Sequence, residues 1–423
     1  MRRPGSEPIL ALPPTDAVAR VHRLHSSLRS VAPDEALARA RHMGARLGVS
    51  RVTDTTRLDR IGIPVFAGIR PDAADHSLCV SAGKGVRPIE AQIGAYMEAV
   101  ELAVAERCAL RDAIQPIDPR DVLSRSSMSG LIDLCPLRGV RHNTADSVDC
   151  VDAEELLSGA TVSVPAELVF FPYLPSQGRL FGNTTNGLAS GSTVAEATLH
   201  ALLEVVERDA VSFMNVRSGV RGVRLDTLPS TVRALLGAIE SADCEIAVRE
   251  LPSEFGLPTF HAAVFDRARI ASLTVAAGYG CHADPEIALV RAVTEACQSR
   301  LTAIHGGRDD LDRCEARVDA RPAGEHDRIA EEQFRRMAAW PDVASFETVR
   351  ASVNVGGSVD AALAQILAHL QARGVNQVCR VALTLDADEM SVVRVIVPTL
   401  ECFNRDVARV GPRLLRAMHA RVA

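Results

Sequence analysis

The sequence predicts an α/β fold built from repeated strand–glycine loop–helix units. Three observations carry that expectation. "RPIEAQIGAYMEAVE" from Arg87, "TVAEATLHALLEVVE" from Thr193 and "DPEIALVRAVTEACQ" from Asp284 align without gaps. Each follows a strand-like run and a glycine pair: Gly83 and Gly85, Gly187 and Gly191, Gly278 and Gly280. The 423-residue composition, 47% hydrophobic and 24% charged, is that of an ordinary globular chain.

Taken in order, residues 1–50 read as mostly helical, with Pro33 near a helix start and apolar spacing through "DEALARARHMGARLGV". "IGIPVFAGIRP" and "SLCVSAGKG" read as strands ending in turns. A long helix is expected from about Pro88 to Cys108, and residues 111–160 read as irregular. "TVSVPAELVFFPYL" is strand-like, "NTTNGLASGST" a loop, and a second long helix runs from about Val194 to Met214. Residues 215–265 form a smaller excursion of a helix and strands. "IASLTVAAGYG" is a strand and loop leading to the third long helix, "DPEIALVRAVTEACQSRL". "RPAGEHD" reads as an exposed connector before helices near 329–339 and 358–373, and "VCRVALTL" and "VVRVIVP" as final strands.

Composition excludes several functions. Net charge is −6 with acids and bases interspersed, so neither nucleic acid nor an anionic membrane is the expected partner. "MRRPGSEPILALPPTDAV" is no signal peptide, and no run of about eighteen apolar residues suggests a spanning helix. Ten scattered cysteines contain no Cys-x-x-Cys pair, which points to reduced thiols in the cytoplasm and against a structural zinc site; Cys281 beside His282 is a weak ligand signal.

Charge beside an apolar helical stripe is usually a solvated face. The alignment argues otherwise. Glu90 falls on Glu196; Glu98 on Glu204 and Glu295; Glu101 on Glu207 and Gln298; Gly94 on His200 and Arg291. At about 100° per residue, Leu199, Leu203, Val206 and Ala210 share one stripe, and Glu196, His200, Glu204 and Glu207 line its border within about 80°. Val290, Val293, Cys297 and Leu301 repeat the stripe, with Arg291, Glu295 and Gln298 on the border. Helices packed through their stripes bring these borders to one cleft. Glu98, Glu101, Glu204, Glu207 and Glu295 would repel one another there, and a hard divalent cation such as Mg²⁺ resolves that conflict while sharing its shell with phosphates. Glycine loops before helix N-termini, Lys84 and Arg291 suit phosphate. "GKG" lacks the spacing of a P-loop and "GYG" the third glycine of a dinucleotide fingerprint. A di-iron bundle, the main physical rival, wants Glu-x-x-His pairs that these helices lack.

The stretches "SAGKGVRPIEAQIGAYMEAVE", "NGLASGSTVAEATLHALLEVVERDA" and "GYGCHADPEIALVRAVTEACQSR", with "GGRDD" after the last, resemble the YcaO family of ATP-dependent amide-activating enzymes. "RSVAPDEALARA" and "VVRVIVPTLE" extend the resemblance over most of the chain. It implies a YcaO-type ATP-binding fold: a lead-in over 1–76, a core with the ATP and Mg²⁺ site over 77–310, and a C-terminal α/β part of the same domain over 311–423. Glu98, Glu101, Glu204, Glu207 and Glu295 would hold Mg²⁺. Arg29, Ser81, Lys84, Ser192, Glu196, Arg208 and Arg291 would contact ATP or its phosphates. Ala36 stands where a hydroxyl residue is frequent and Ser192 where Asn is common. Asp209 is left as a structural candidate.

The chemistry implied is attack of a backbone amide oxygen on the γ-phosphate of ATP, addition of a nucleophile to the activated carbon, and loss of phosphate. A neighbouring Cys, Ser or Thr gives an azoline; sulfide gives a thioamide. "LDRIGIPVFAGIRP", and an end "GPRLLRAMHARVA" unlike the proline-rich tail of azoline-forming members, lean toward the branch that works with a TfuA-type partner. The expected partners are a ribosomally made precursor peptide or protein, that TfuA-type protein and a sulfide donor, with a homodimer as the expected assembly. The alternatives are an azoline-forming cyclodehydratase and a non-catalytic ATP-binding scaffold.

Overall fold

A computed structural model describes residues 21–140, 146–175, 178–268, 274–308, 324–351, 353–384, 390–403 and 408–422. Three long helices organise it: α1 (Pro88–Arg107), α2 (Val194–Ser212) and α3 (Pro285–His305). Each follows a strand: β1 (Val80–Lys84), β2 (Leu188–Gly191) and β3 (Val275–Cys281). Their starts are written locally. Pro88 and Pro285 occupy the first helical turn, where the missing N–H costs nothing. Thr193 caps α2 by accepting from the Glu196 N–H at 3.1 Å, and Asp284 caps α3 at the Glu286 and Ile287 N–H groups. Gly306, at φ +65°, ends α3 in the left-handed region.

The three strands belong to three different sheets. β1 is the edge of an antiparallel sheet with Val65–Ile69 and Arg51–Asp54. β2 is the edge of a six-stranded antiparallel sheet, next to Ser391–Ile396, followed by Cys379–Ala382, Val148–Glu155 and Gln115–Ile117, with Thr161–Pro165 also on Val148–Glu155. β3 is the edge of a five-stranded sheet that continues through Thr259–Asp266, Cys244–Glu250, Arg221–Val223 and Val343–Ala344.

Strand alternation joins these layers. Val392 faces a core with Met97, Val100 and Val104 of α1, while Val393 and Val395 face one with Leu199, Leu202 and Val206 of α2. The stripe of α3, Val290, Val293 and Cys297, packs with Phe260, Ala262, Val264 and the Ser230–Ser241 helix. Each long helix also touches the next unit's strand: α1 meets β2, α2 meets β3 and α3 meets β1.

Several expectations are corrected. After residues 1–20, which lie outside the described residues, the chain forms a small hairpin of His22–Arg23 with Leu28–Arg29, turned by the Leu24 N–H on the Ser27 carbonyl, before the helix Pro33–Arg46. The stretch read as irregular contains Val148–Glu155, whose small and acidic residues disguise a strand. "TVSVPAELVFFPYL" is a strand only over Thr161–Pro165 and then makes a helical turn, Ala166–Val169. "LASG" is a fully buried strand, not part of a loop. Gly83, Gly191, Gly278 and Gly280 lie within strands rather than loops. A Cβ on Gly83 would stand 2.1 Å from the Ala91 carbonyl oxygen, and one on Gly280 2.1 Å from that of Ala288. These glycines let a helix backbone lie directly on its strand. "GGRDD" and the "RPAGEHD" connector fall partly outside the described residues. No described helix is long and apolar enough to cross a membrane.

Candidate functional site

The borders of α1, α2 and α3 line one cavity of about 590 Å³. Glu98, Glu101, Glu204, Glu207 and Glu295 all reach it, with Lys84, Glu196, His200, Arg208, Arg291 and, from the N-terminal hairpin, Arg29. Leu24, Val31, Pro33, Ala36, Ile93 and Met97 add apolar wall.

Main-chain N–H groups hold four of the five carboxylates. The Ala82 N–H donates to Glu98 at 2.8 Å, and the Tyr279 N–H donates to Glu295 at 3.3 Å, so α1 and α3 each bind back to their own strand. The second position of each pair reaches forward. Glu101 on α1 accepts from the Ser190 N–H and hydroxyl in β2, at 2.8 and 2.7 Å. Glu207 on α2 accepts from the Cys281 N–H in β3 at 3.0 Å. Gln298 on α3 donates to the Ala82 carbonyl in β1 at 2.5 Å. The three contacts close a ring in which every helix is tied to the following unit's backbone. Gln298 fits this ring because its partner is a carbonyl, which needs a donor that a glutamate cannot supply.

The electrostatics are divided. Burial pushes Glu101 up to about 8, against the Ser190 bonds, and Glu204 up to about 7, against Arg208. Burial also raises Glu98 and Glu207. For Glu295 burial is outweighed by Lys84, whose ammonium lies 2.7 Å away, and by Arg208, so its carboxyl is held below the ordinary range. Arg208 is desolvated but kept charged by Glu207, at 3.5 Å, Glu295 and Glu204. Burial and the neighbouring Arg291 push His200 well below the ordinary imidazole value. His200 is therefore neutral, and Nε2 accepts from Arg291 Nη1 at 3.3 Å. The buried Nε of Arg291 has no partner among the described residues.

Not every expected residue arrives. The Ser81 hydroxyl turns away and donates to the Ala95 carbonyl at 3.1 Å, tying α1 to β1; Ser192 is buried beneath the start of α2 and does not line the cavity. Glu196 reaches the wall already bound, accepting from Arg29 Nη1 at 3.0 Å and from the Ser30 N–H at 2.9 Å. Asp209 points away and clamps the C-terminal segment through Arg413 and the Glu401 N–H, as its structural candidacy required. Ser190 and Arg308 also line the cavity and were not singled out from sequence. The alignment of Gln298 with Glu101 and Glu207 was the legible signal for its role.

The residues fit a hard cation with a polyphosphate. The donor set is carboxylate oxygen, and Lys84, Arg208 and Arg291 stand among it. The carboxylates are spread over the wall: among the described residues no three Asp, Glu, His or Cys side chains converge on one ion. Mg²⁺ suits such a wall, because it keeps water and phosphate oxygens in its shell.

A family model described as YcaO cyclodehydratase, ATP- and Mg²⁺-binding, matches residues 82–401. An uncharacterized protein of Methanothermobacter thermautotrophicus is 35% identical over 393 residues, covering 91% of this chain and 98% of that protein. A Rhizobium leguminosarum bv. trifolii protein, described as an uncharacterized protein in the tfuA 3′ region, is 32% identical over 390 residues, 88% of each chain. The structure of YcaO from Methanopyrus kandleri bound with AMPPCP and Mg²⁺ superposes with a TM-score of 0.72 at 26% identity, covering 91% of this chain and 96% of that one. A heterocyclase in complex with substrate and cofactor shares the fold, with a TM-score of 0.73 at 18% identity over 94% of this chain and 56% of that one. Matched over the greater part of its length by the family model and by relatives of similar extent, the chain belongs to the YcaO family.

Proposed function

We propose that this chain binds ATP with Mg²⁺ in the 590 Å³ cavity and uses it to O-phosphorylate a backbone amide of a ribosomally made peptide or protein, giving a thioamide. The observation that carries the reading is the meeting of five carboxylates from three helices with Lys84, Arg208 and Arg291 in one cavity. Mg²⁺, when bound, would supply charge neutralisation along the phosphates. Glu98, Glu101, Glu204, Glu207 and Glu295 are the residues that would hold it. Arg291, with a donor to spare, and Arg208 present guanidinium groups to phosphate oxygens. Lys84 is a point charge fixed by Glu295. The apolar wall around Val31, Ala36 and Met97 suits the base. An amide oxygen is a weak nucleophile, so positioning and phosphate neutralisation are what this step demands of a protein.

The thioamide branch, with a TfuA-type partner protein and a sulfide donor, is favoured by the Rhizobium relative described by its tfuA neighbourhood. The azoline reading is supported by the family model's description as a cyclodehydratase. Titration calorimetry with ATP and Mg²⁺ on wild type and Glu204→Gln tests the core; equal binding by the two would sink it. Phosphate release with the peptide encoded beside the gene separates an enzyme from a scaffold that only binds ATP. The peptide's mass separates the products: a loss of about 18 Da marks ring closure and a gain of about 16 Da marks exchange of oxygen for sulfur.

A further inference from the structure

Behind α2 lies a second, much smaller pocket of about 30 Å³, lined among others by Asn186, Val205, Arg394, Cys402 and Arg409. Arg394 is only 2% exposed, the largest of the fully buried side chains. It projects from the Ser391–Ile396 strand, whose Val392, Val393, Val395 and Ile396 fill two apolar cores. Its Nη2 donates to the Thr184 carbonyl at 2.6 Å, but its Nε and Nη1 have no partner among the described residues. Arg409, 7% exposed, is held by two further carbonyls, of Cys135 at 2.8 Å and Leu134 at 2.6 Å. Among the described residues neither guanidinium is paired with a carboxylate at ion-pair distance. The Asn186 Oδ1 is also buried without a partner among the described residues.

Two buried cations sharing one small pocket repel each other, and two unpaired N–H groups there are costly. Burial, offset in part by Glu204 across the α2 wall and reinforced by Arg409, brings Arg394 down to about 10. That carboxylate serves the main cavity and does not bond Arg394. The deficit is one negative charge in a space for one small group. A water would satisfy lone donors but would leave the repulsion standing.

We propose that this pocket is a binding site for a small monovalent anion, of the size of chloride or hydrosulfide, held by Arg394 Nε and Nη1 beside Arg409. The Asn186 amide joins as a donor with its oxygen and nitrogen exchanged, an assignment that the hydrogen-bond network decides. The anion site does not rest on the reaction proposed above; its assignment to hydrosulfide does. Halide and hydrosulfide share the chemistry; hydrosulfide would link the pocket to the main cavity as a reservoir of nucleophile.

The test is thermal unfolding of the purified full chain in sodium bromide, with ionic strength held by sodium gluconate, whose anion is too large to enter. A rise in midpoint of about 2 °C at tenfold the dissociation constant is expected, growing with the logarithm of bromide concentration above it. Asn186→Asp supplies the missing charge covalently and abolishes the bromide response without loss of fold. Arg394→Gln abolishes it as well if that chain folds. Bromide-soaked crystals should show an anomalous peak at the Arg394 guanidinium. A flat bromide response, or a peak absent from the pocket with water in its place, overturns the proposal. The sources are told apart in sulfide-dependent turnover: bromide raising KM for sulfide at constant kcat assigns the pocket to hydrosulfide, and bromide that binds without touching KM assigns it to a halide.

Discussion

Loading the cavity with Mg²⁺ and ATP should expel protons, and the structure gives a lower bound on their number. A cation is held by ionised carboxylates, yet burial raises Glu101 to about 8 and Glu204 to about 7 in the free protein. At pH 6.5 those two groups together carry about 1.7 protons, and at pH 8.5 about 0.3. Titration calorimetry with preformed Mg–ATP, repeated in buffers of different ionisation enthalpy, counts the protons released. The expected count is at least about 1.7 at pH 6.5, because Glu98 and Glu207 are raised as well, and it falls as pH rises while apparent affinity climbs. Glu101→Gln should lower the count at pH 6.5 by about one. A count near zero at pH 6.5 would refute the reasoning, since the carboxylates would then be ionised before the cation arrives or untouched by it. The same shifts have a stability counterpart. Both folded-state values lie above the ordinary carboxylate range, so the stability they confer is full below about pH 4 and is lost as pH rises through 7 and 8. The unfolding midpoint of the ligand-free chain should decline over that window, and Mg–ATP should flatten the decline.

Gln298→Glu replaces the donor on the Ala82 carbonyl by an acceptor and adds charge beside Glu295; denaturant unfolding should show a loss of about 2–4 kcal/mol, larger than for Gln298→Leu. Gly83→Ala drives a Cβ to 2.1 Å from the Ala91 carbonyl oxygen and should cost about 1–3 kcal/mol or more, together with ATP binding, whereas Gly237→Ala on the exposed face of its helix should gain about 0.5–1 kcal/mol in the same assay. Arg413→Ala leaves Asp209 as an uncompensated buried charge and should cost about 3–5 kcal/mol by denaturant unfolding.

The three long helices were legible because their caps, prolines and stripes are local signals: Thr193, Pro88, Pro285 and Asp284 sit where the starts fall. The carboxylates were legible as a set because Glu98, Glu204 and Glu295 align and helical geometry fixes which border they share. What the sequence concealed is long-range. "LASG" has no strand propensity to display; it becomes a strand because Ser391–Ile396 lies beside it and α2 covers it. The fates of Ser81 and Ser192 depend on which way a strand edge faces, which no spacing specifies. Glu196 looked free because its partners, Arg29 and Ser30, come from a hairpin more than 160 residues earlier. The ring made by Glu101, Glu207 and Gln298 was hidden because each partner is a peptide group, and peptide groups are the same at every position.

That last property has a consequence for how this molecule can diverge. A cavity wall anchored on main-chain atoms asks only a peptide group of Ala82, Cys281 and Tyr279, so those positions answer to their own packing and not to the carboxylates they hold. The cost of error falls on the helices, where one acid or amide must reach one peptide group. Substitutions should therefore be tolerated unevenly: at strand positions that offer only a peptide group, but not at the strand glycines that seat a helix, nor at a few helix borders. Two chains can then differ at most of their positions and still enclose the same space.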